Sequence, residues 1–289
     1  MSAFYNYSEP FSAECRAFGR LQEAGREDLA VPCFGYILLD EQHERALADQ
    51  FRGARRVDIN FDGAAEPMVV SNLRSRFPGR DGREPPIRGI VKALGTTSKA
   101  LRAKDARRIL RNMISLQQLG IINLDPAYWH FVSDKFCDFS TAITTPHFVT
   151  NPELNPSIAP EWIPRMEFDT FHYSANDFWA FDSMVLDWNI VHDDNPKDQV
   201  SVSAFPRGEG CRVKYSLRSA PAGECVYSFV DPRRYDWRLS KPRRRLAARP
   251  PRWIYNCGPR WAEKIRTRTH MTGPELGWEY RDGHIFPCA

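Results

Sequence analysis

The run from Asn176 to Asn189 contains Phe178, Trp179, Phe181, Met184, Val185 and Trp188. At these offsets apolar side chains point nearly all the way round a helix, and such a helix is stable only when neighbours cover every side. A chain carrying this segment has to build its core around a central, buried helix. Its 289 residues suffice for one large domain or two small ones, and a core of that size needs no disulfide support. The seven Cys are scattered, odd in number and form no C-x-x-C pair. That pattern points to reduced thiols in a nuclear or cytoplasmic compartment and away from a structural zinc site.

Other elements follow from periodicity. Phe11, Cys15, Phe18 and Leu21 recur at helical spacing, which predicts a helix over Phe11 to Gly25 with Ser12 as N-cap and Gly25 as stop. Ala30 to Leu39 reads as a strand broken at its start by Pro32, and Glu41 to Phe51 as a short helix. Gly63 to Pro86 is polar and rich in Gly, Arg and Pro, so a loop is expected around a short strand at Met68 to Val70. Ile87 to Leu94 is apolar enough for a buried strand. Asp105 to Leu119 has the clearest amphipathic pattern, with Ile109, Met113 and Leu116 on one face and Gly120 closing it. Gln199 to Phe205 and Arg212 to Leu217 alternate around Pro206 to Gly210 and predict a β-hairpin, with Cys225 to Val230 as a third strand. Trp253, Trp261 and Trp278 suggest that the last residues pack back on the body.

The N-terminus has neither a basic nor an apolar signal-peptide region, and no apolar run is long enough to span a bilayer. No membrane partner is expected. The net charge of +4 is unevenly placed: residues 233–252 alone carry +8, so the remainder is net acidic. Arg243, Arg244 and Arg245 lie at the centre of this stretch. They could contact DNA or chromatin phosphates with Tyr235, Trp237 and Trp253 as stacking groups, or serve as a solvated linker or nuclear-import signal. His192-Asp193-Asp194, with His172 nearby in sequence, could be a metal site but reads better as a helix C-terminal turn. His147 reads as structural.

Three segments stand out by their order. Leu119-Gly-Ile-Ile-Asn-Leu-Asp125 follows the amphipathic helix directly. Lys135-Phe-Cys-Asp-Phe-Ser140 is an apolar strand ending in Asp-Phe. Ala159-Pro-Glu161 precedes Ser174-Ala-Asn-Asp-Phe-Trp-Ala-Phe181 and the apolar helix. The series resembles the large lobe of a protein kinase. Asp125 matches the catalytic-loop Asp, Asp138 the DFG Asp, Ala159 to Glu161 the A-P-E, and Asp177 with Trp179 the start of the buried helix. Without that resemblance, Asp125 and Asp138 are loop and strand-end residues of another α+β enzyme.

Upstream, Phe11 to Leu21 followed by Val31 to Tyr36 resembles the helix and next strand of a kinase small lobe. Glu14 then matches the helix Glu that pairs with the ATP-positioning Lys; the alternative is a solvated helix face. Pro10 to Val31, Phe34-Gly-Tyr36, Ile87 to Lys92, Cys137 to Ala142 with Thr145-Pro-His-Phe148, and Val230 to Trp237 are similar to a fungal family with a kinase-like fold, named for a kinetochore subunit of the Fta type. The resemblance covers most of residues 4 to 240, loosely between Asp40 and Pro85. It implies an α+β, two-lobe fold with a truncated N-terminal lobe. The expected divisions are a small lobe over 1–95, a helical large lobe over 96–198, and a family-specific hairpin, basic segment and extension over 199–289. It also implies protein partners and a kinetochore or chromatin location.

The same resemblance predicts failed catalysis. Phosphoryl transfer depends on positioning and charge neutralisation. No Gly-rich sequence precedes Glu14, and the first Lys is Lys92. The H-R-D sequence reads Asn123-Leu124-Asp125, and His130 stands where the metal-binding Asn belongs. An imidazole is a poor magnesium ligand. The expectation is a pseudokinase scaffold with no cofactor, in which Asp125 is a vestigial base and Glu14, His130 and Asp138 are vestigial nucleotide or metal positions. Asp138 would retain at most weak ATP and magnesium binding, or both acids would simply brace loops. The alternative is a divergent ATP-dependent kinase using Asp125 as base and Asp138 as metal ligand. With little covering sheet, Cys15, Phe18 and Leu21 are expected to be partly exposed unless the loop from Asp40 to Pro85 covers them.

Overall fold

The computed structural model describes residues 6–51, 81–83, 85–96, 100–155, 157–206, 216–218, 225–233, 252–257, 278–281 and 284–287. Helices and small sheets are mixed along the chain, an α+β arrangement. The chain divides into two units, Cys33–Ala93 and the remainder.

The smaller unit contains β1 (Cys33–Leu39), α1 (Glu41–Phe51) and β2 (Ile87–Lys92). β1 and β2 pair antiparallel, with Tyr36 opposite Ile90 and Leu38 opposite Arg88. The expectation of a buried strand here is corrected: Arg88 and Val91 are exposed, as are Phe34, Tyr36, Ile37 and Leu38. Two strands cannot cover both of their own faces. The expected strand at Met68 to Val70 lies outside the described residues.

In the larger unit, helix α2 (Pro10–Glu23) begins with Pro at its first turn, and its cap is Glu9, whose carboxylate accepts from the Ser12 N–H. Ser12 is therefore not the N-cap: Pro10 opens the helix and the cap lies three residues upstream at Glu9. Gly25 ends the helix at φ +61°, with Arg26 N–H donating to Leu21 O and Gly25 N–H to Gln22 O, a Schellman closure that favours glycine. Phe18 and Leu21 are buried, against the expectation of exposure. Their cover comes from this same unit: the Phe18 ring meets Phe139 edge-on at 5.2 Å.

α3 (Ala103–Gln118) buries Ile109, Leu110, Met113 and Leu116. Gly120 follows at φ +77°, and a Cβ there would collide with the Thr145 hydroxyl, so only glycine fits this turn. Two two-stranded pieces follow. β3 (Ile121–Ile122) pairs with β6 (Ile143–Thr144), and β4 (Phe131–Val132) with β5 (Lys135–Phe136). α4 runs from Ile163 to Val191 in one piece. It buries Phe178, Trp179, Phe181, Met184, Val185 and Trp188, as its pattern predicts, and Phe171, which lies before the expected start. It starts well before Asn176, because Pro164 is tolerated in a first turn. Near its end it is not central: Leu186, Ile190 and Val191 are exposed.

Gln199 to Phe205 is not a strand. Val200 and Val202 are buried, and the segment is held by side chains of α4: Asp182 accepts from Ser203 Oγ, Ala204 N–H and Phe205 N–H, while Asn189 Oδ1 accepts from Val200 N–H. Of the expected partner Arg212 to Leu217, residues 212–215 lie outside the described residues, and Leu217 N–H donates to the Ala204 carbonyl. β7 (Cys225–Val230) forms as expected and opens a four-stranded sheet with β8 (Arg252–Cys257), β10 (His284–Pro287) and β9 (Trp278–Arg281), in the order β7-β8-β10-β9. Arg252 is therefore a strand residue rather than part of an arm. Among the described residues no helix is long and apolar enough to cross a membrane.

Candidate functional site

The turn after α3 is organised by one buried carboxylate. Asp177, on α4, accepts from Asn123 N–H at 3.1 Å, Leu124 N–H at 2.6 Å and Gln117 Nε2 at 3.0 Å. Gln117 Nε2 also reaches the Ser174 carbonyl, and Asn176 Nδ2 the Leu124 carbonyl. These bonds hold Leu124 at φ +71°, a left-handed conformation costing about 1–2 kcal/mol for a non-glycine residue. Burial raises the Asp177 pKa to about 6, although its three donors pull the other way. Asn123 extends the bracing: its Oδ1 accepts from Asp125 N–H, its Nδ2 donates to Asp138 O, and its carbonyl accepts from Thr141 Oγ1.

This scaffold brings Asp125, His130 and Asp138 together. His130 Nδ1 is 2.9 Å from the Asp125 carbonyl. A carbonyl only accepts, so Nδ1 carries the proton and Nε2 is turned toward Asp138 Oδ2 at 3.6 Å. The Asp125 carboxylate lies 3.8 Å from Nδ1 and is 61% exposed. Asp138 also braces its own loop, its Oδ1 accepting from Ser140 N–H at 2.8 Å. The Glu14 carboxylate accepts from the Phe139 N–H at 3.4 Å and is buried. The solvated-face reading of Glu14 is thereby replaced, because α2 packs its Glu14 face inward against the strand end that carries Asp138.

α2 supplies two further contacts that the sequence did not announce. Arg16 Nη2 donates to the Thr144 and Pro146 carbonyls, and Arg20 donates to Leu119 O and Thr145 O at 2.5 and 2.6 Å. The turn and the strand after Asp138 are thus tied to one helix. The Asp177 anchor was also missed as such. Its signal was present, since an Asp inside an apolar helix is buried only when it is fully bonded.

His147 is structural, as expected: Nε2 donates to Tyr7 O, Nδ1 accepts from Val149 N–H, and burial lowers its pKa to about 4. His192 Nδ1 bonds Trp188 O at the helix C-terminus and His172 stacks among aromatic rings. No group able to hold a metal ion occurs among the described residues. Arg243, Arg244 and Arg245 lie outside the described residues. Arg233, expected as the start of the basic stretch, is instead paired with Glu167 and Asp231 at 2.6 and 3.0 Å, which hold its guanidinium charged.

The chain is thus an α+β protein whose buried helix anchors a loop of clustered, partly exposed acids. The family model for the kinetochore Sim4 complex subunit FTA2 matches residues 1–143, which include Glu14, Asp125, His130 and Asp138, and this supports the kinetochore Fta family. No curated protein and no solved structure matches the chain.

Proposed function

We propose that the chain is a non-catalytic, kinase-like interaction subunit of a kinetochore complex, acting at chromosomes in the nucleus through protein partners. The family match over residues 1–143 carries this reading. The site geometry supports the kinase likeness: a loop acid after a helix, a second acid after a strand, and an Ala159-Pro160-Glu161 turn leading straight into a buried helix.

Catalytic silence follows from the side chains present. Magnesium takes oxygen ligands in a demanding geometry, and His130 turns a nitrogen toward Asp138 instead. Leu124 occupies the position of the H-R-D arginine, so no guanidinium there can meet a phosphate. Losing one positioned charge costs on the order of 100- to 1000-fold in rate. Chromatin immunoprecipitation of the tagged full chain should enrich centromeric over chromosome-arm DNA, and equal recovery of the two would overturn the assignment.

A divergent kinase is the second reading, favoured by the exposed Asp125 carboxylate. A thermal-shift titration with ATP and magnesium or manganese separates the two. No shift is expected. A shift abolished by Asp138→Ala, with phosphate transfer lost in Asp125→Ala, establishes the kinase.

A further inference from the structure

Among the described residues of the larger unit, most of the large aromatic side chains are buried. Tyr128 and Trp129 are not: a single 3-10 turn places both outward, 43% and 55% exposed. Neither ring is loose. The Trp129 ring stands edge-on to Tyr128 at 4.7 Å and to His130 at 5.8 Å. Tyr128 meets Trp188 at 6.1 Å, and Trp188 stacks on His192 at 3.8 Å. A ladder of rings therefore runs from the end of α4 to the surface and holds two aromatic side chains ready for contact.

Charge decides what kind of contact. The His130 ring beside Trp129 has the exposed Asp125 carboxylate at 3.8 Å and Asp138 at 3.6 Å. Just past His192, at the negative end of α4, Asp193 and Asp194 are exposed. Tyr128, Trp129 and Trp188 lie in segments, 120–134 and 166–196, that contain no Lys or Arg, with Lys135 and Lys197 just beyond them and Arg108 paired to Asp134. The charge next to the two rings is acidic. An exposed indole face beside carboxylates suits a cationic side chain, which gains from the ring quadrupole and from the acid together.

We propose that Tyr128, Trp129 and Asp125 form a docking surface for a Lys- or Arg-bearing segment of a partner protein. One cation stands on the Trp129 ring and pairs with the Asp125 carboxylate. The ordered rings keep the entropic cost of binding low. The proposal deepens the interaction-subunit reading and rests on it, because it takes the surface as a protein contact. Its test leaves the centromere and nucleotide measurements untouched, so the two can fail separately.

The test is fluorescence anisotropy with the full chain and a labelled peptide of alternating Arg and Gly, against a matched Glu peptide. The basic peptide should bind, and weaken as salt rises from ~50 to ~500 mM. Trp129→Ala and Asp125→Asn should each weaken it roughly five-fold or more, with Trp129→Tyr in between. Unchanged thermal midpoints show that the variants fold. Absence of binding at low salt, equal binding by the parent and both variants, or equal binding of the Glu peptide overturns the proposal. So does self-association of the chain that the same two substitutions abolish, since it gives the surface to a second copy.

Discussion

Two buried groups titrate in opposite senses, and both lie at contacts that fix the loops around the site. Burial raises Asp177 to about 6 from an ordinary 3.8, so the folded chain takes up its proton first as pH falls, and stability rises between about 6 and 4. Burial lowers His147 to about 4 from 6.5, so the unfolded chain takes up its proton first, and stability falls between about 6.5 and 4. Each effect is worth at most roughly 3 kcal/mol, and across the shared window they largely cancel. Urea midpoints measured from pH 6.5 to 4.5 should show this. Relative to the parent, His147→Gln should gain stability as pH falls, since only the Asp177 effect remains, and Asp177→Asn should lose it. Identical pH slopes in the parent and both variants would contradict the opposed titrations. Asp177→Asn should also be destabilised throughout by about 2–4 kcal/mol, because its amide nitrogen meets a backbone donor.

Among the elements, legibility follows locality. α3 and its stop at Gly120 could be read because period and cap are local signals, and the same holds for α1, β1 and β7. The first half of α4 was missed: its apolar residues Ile163, Met166, Phe168 and Phe171 are interspersed with Pro164, Arg165, Glu167 and Asp169. Val200 and Val202 alternate as in a strand, yet the backbone of this segment is bonded by helix side chains, Asn189 at Val200 and Asp182 at Ala204 and Phe205, and alternation alone does not say who supplies the hydrogen bonds. The positions of Asp125 and Asp138 were legible from motif order. His130 was named with them at the metal-binding Asn position; the bond from its Nδ1–H to the Asp125 carbonyl, which fixes its ring, was not legible. Nor was the clamp made by Arg16 and Arg20, whose partners are more than ninety residues away. Arg20→Ala should lower stability by about 2–4 kcal/mol, by stripping a buried donor from two carbonyls. Arg20→Lys should restore less than half, because an ammonium lacks the fork that spans both. Urea melts decide it, and an Arg20→Ala chain as stable as the parent would remove the clamp from the account.

At the scale of the whole molecule, the two units differ in what holds them. Among the described residues, every fully buried side chain lies outside Cys33–Ala93. β1 and β2 keep their cross-strand hydrogen bonds but leave Phe34, Tyr36 and Leu38 open to water. An isolated pair of strands is marginal in water, and segments with few buried apolar contacts open locally without waiting for global unfolding. α3 and α4 share the aromatic core, so their amides can exchange only when that core comes apart. Hydrogen exchange on the full chain should therefore show residues 33–39 and 87–92 exchanging through local opening, with little dependence on added urea. The amides of 106–118 and 171–185 should follow the global unfolding free energy and its full urea slope. If β1 were protected as strongly as α3, with the same urea dependence, the unit 33–93 would owe its stability to burial that its exposed side chains contradict. The division into an aromatic body and a weakly held strand pair would then fall.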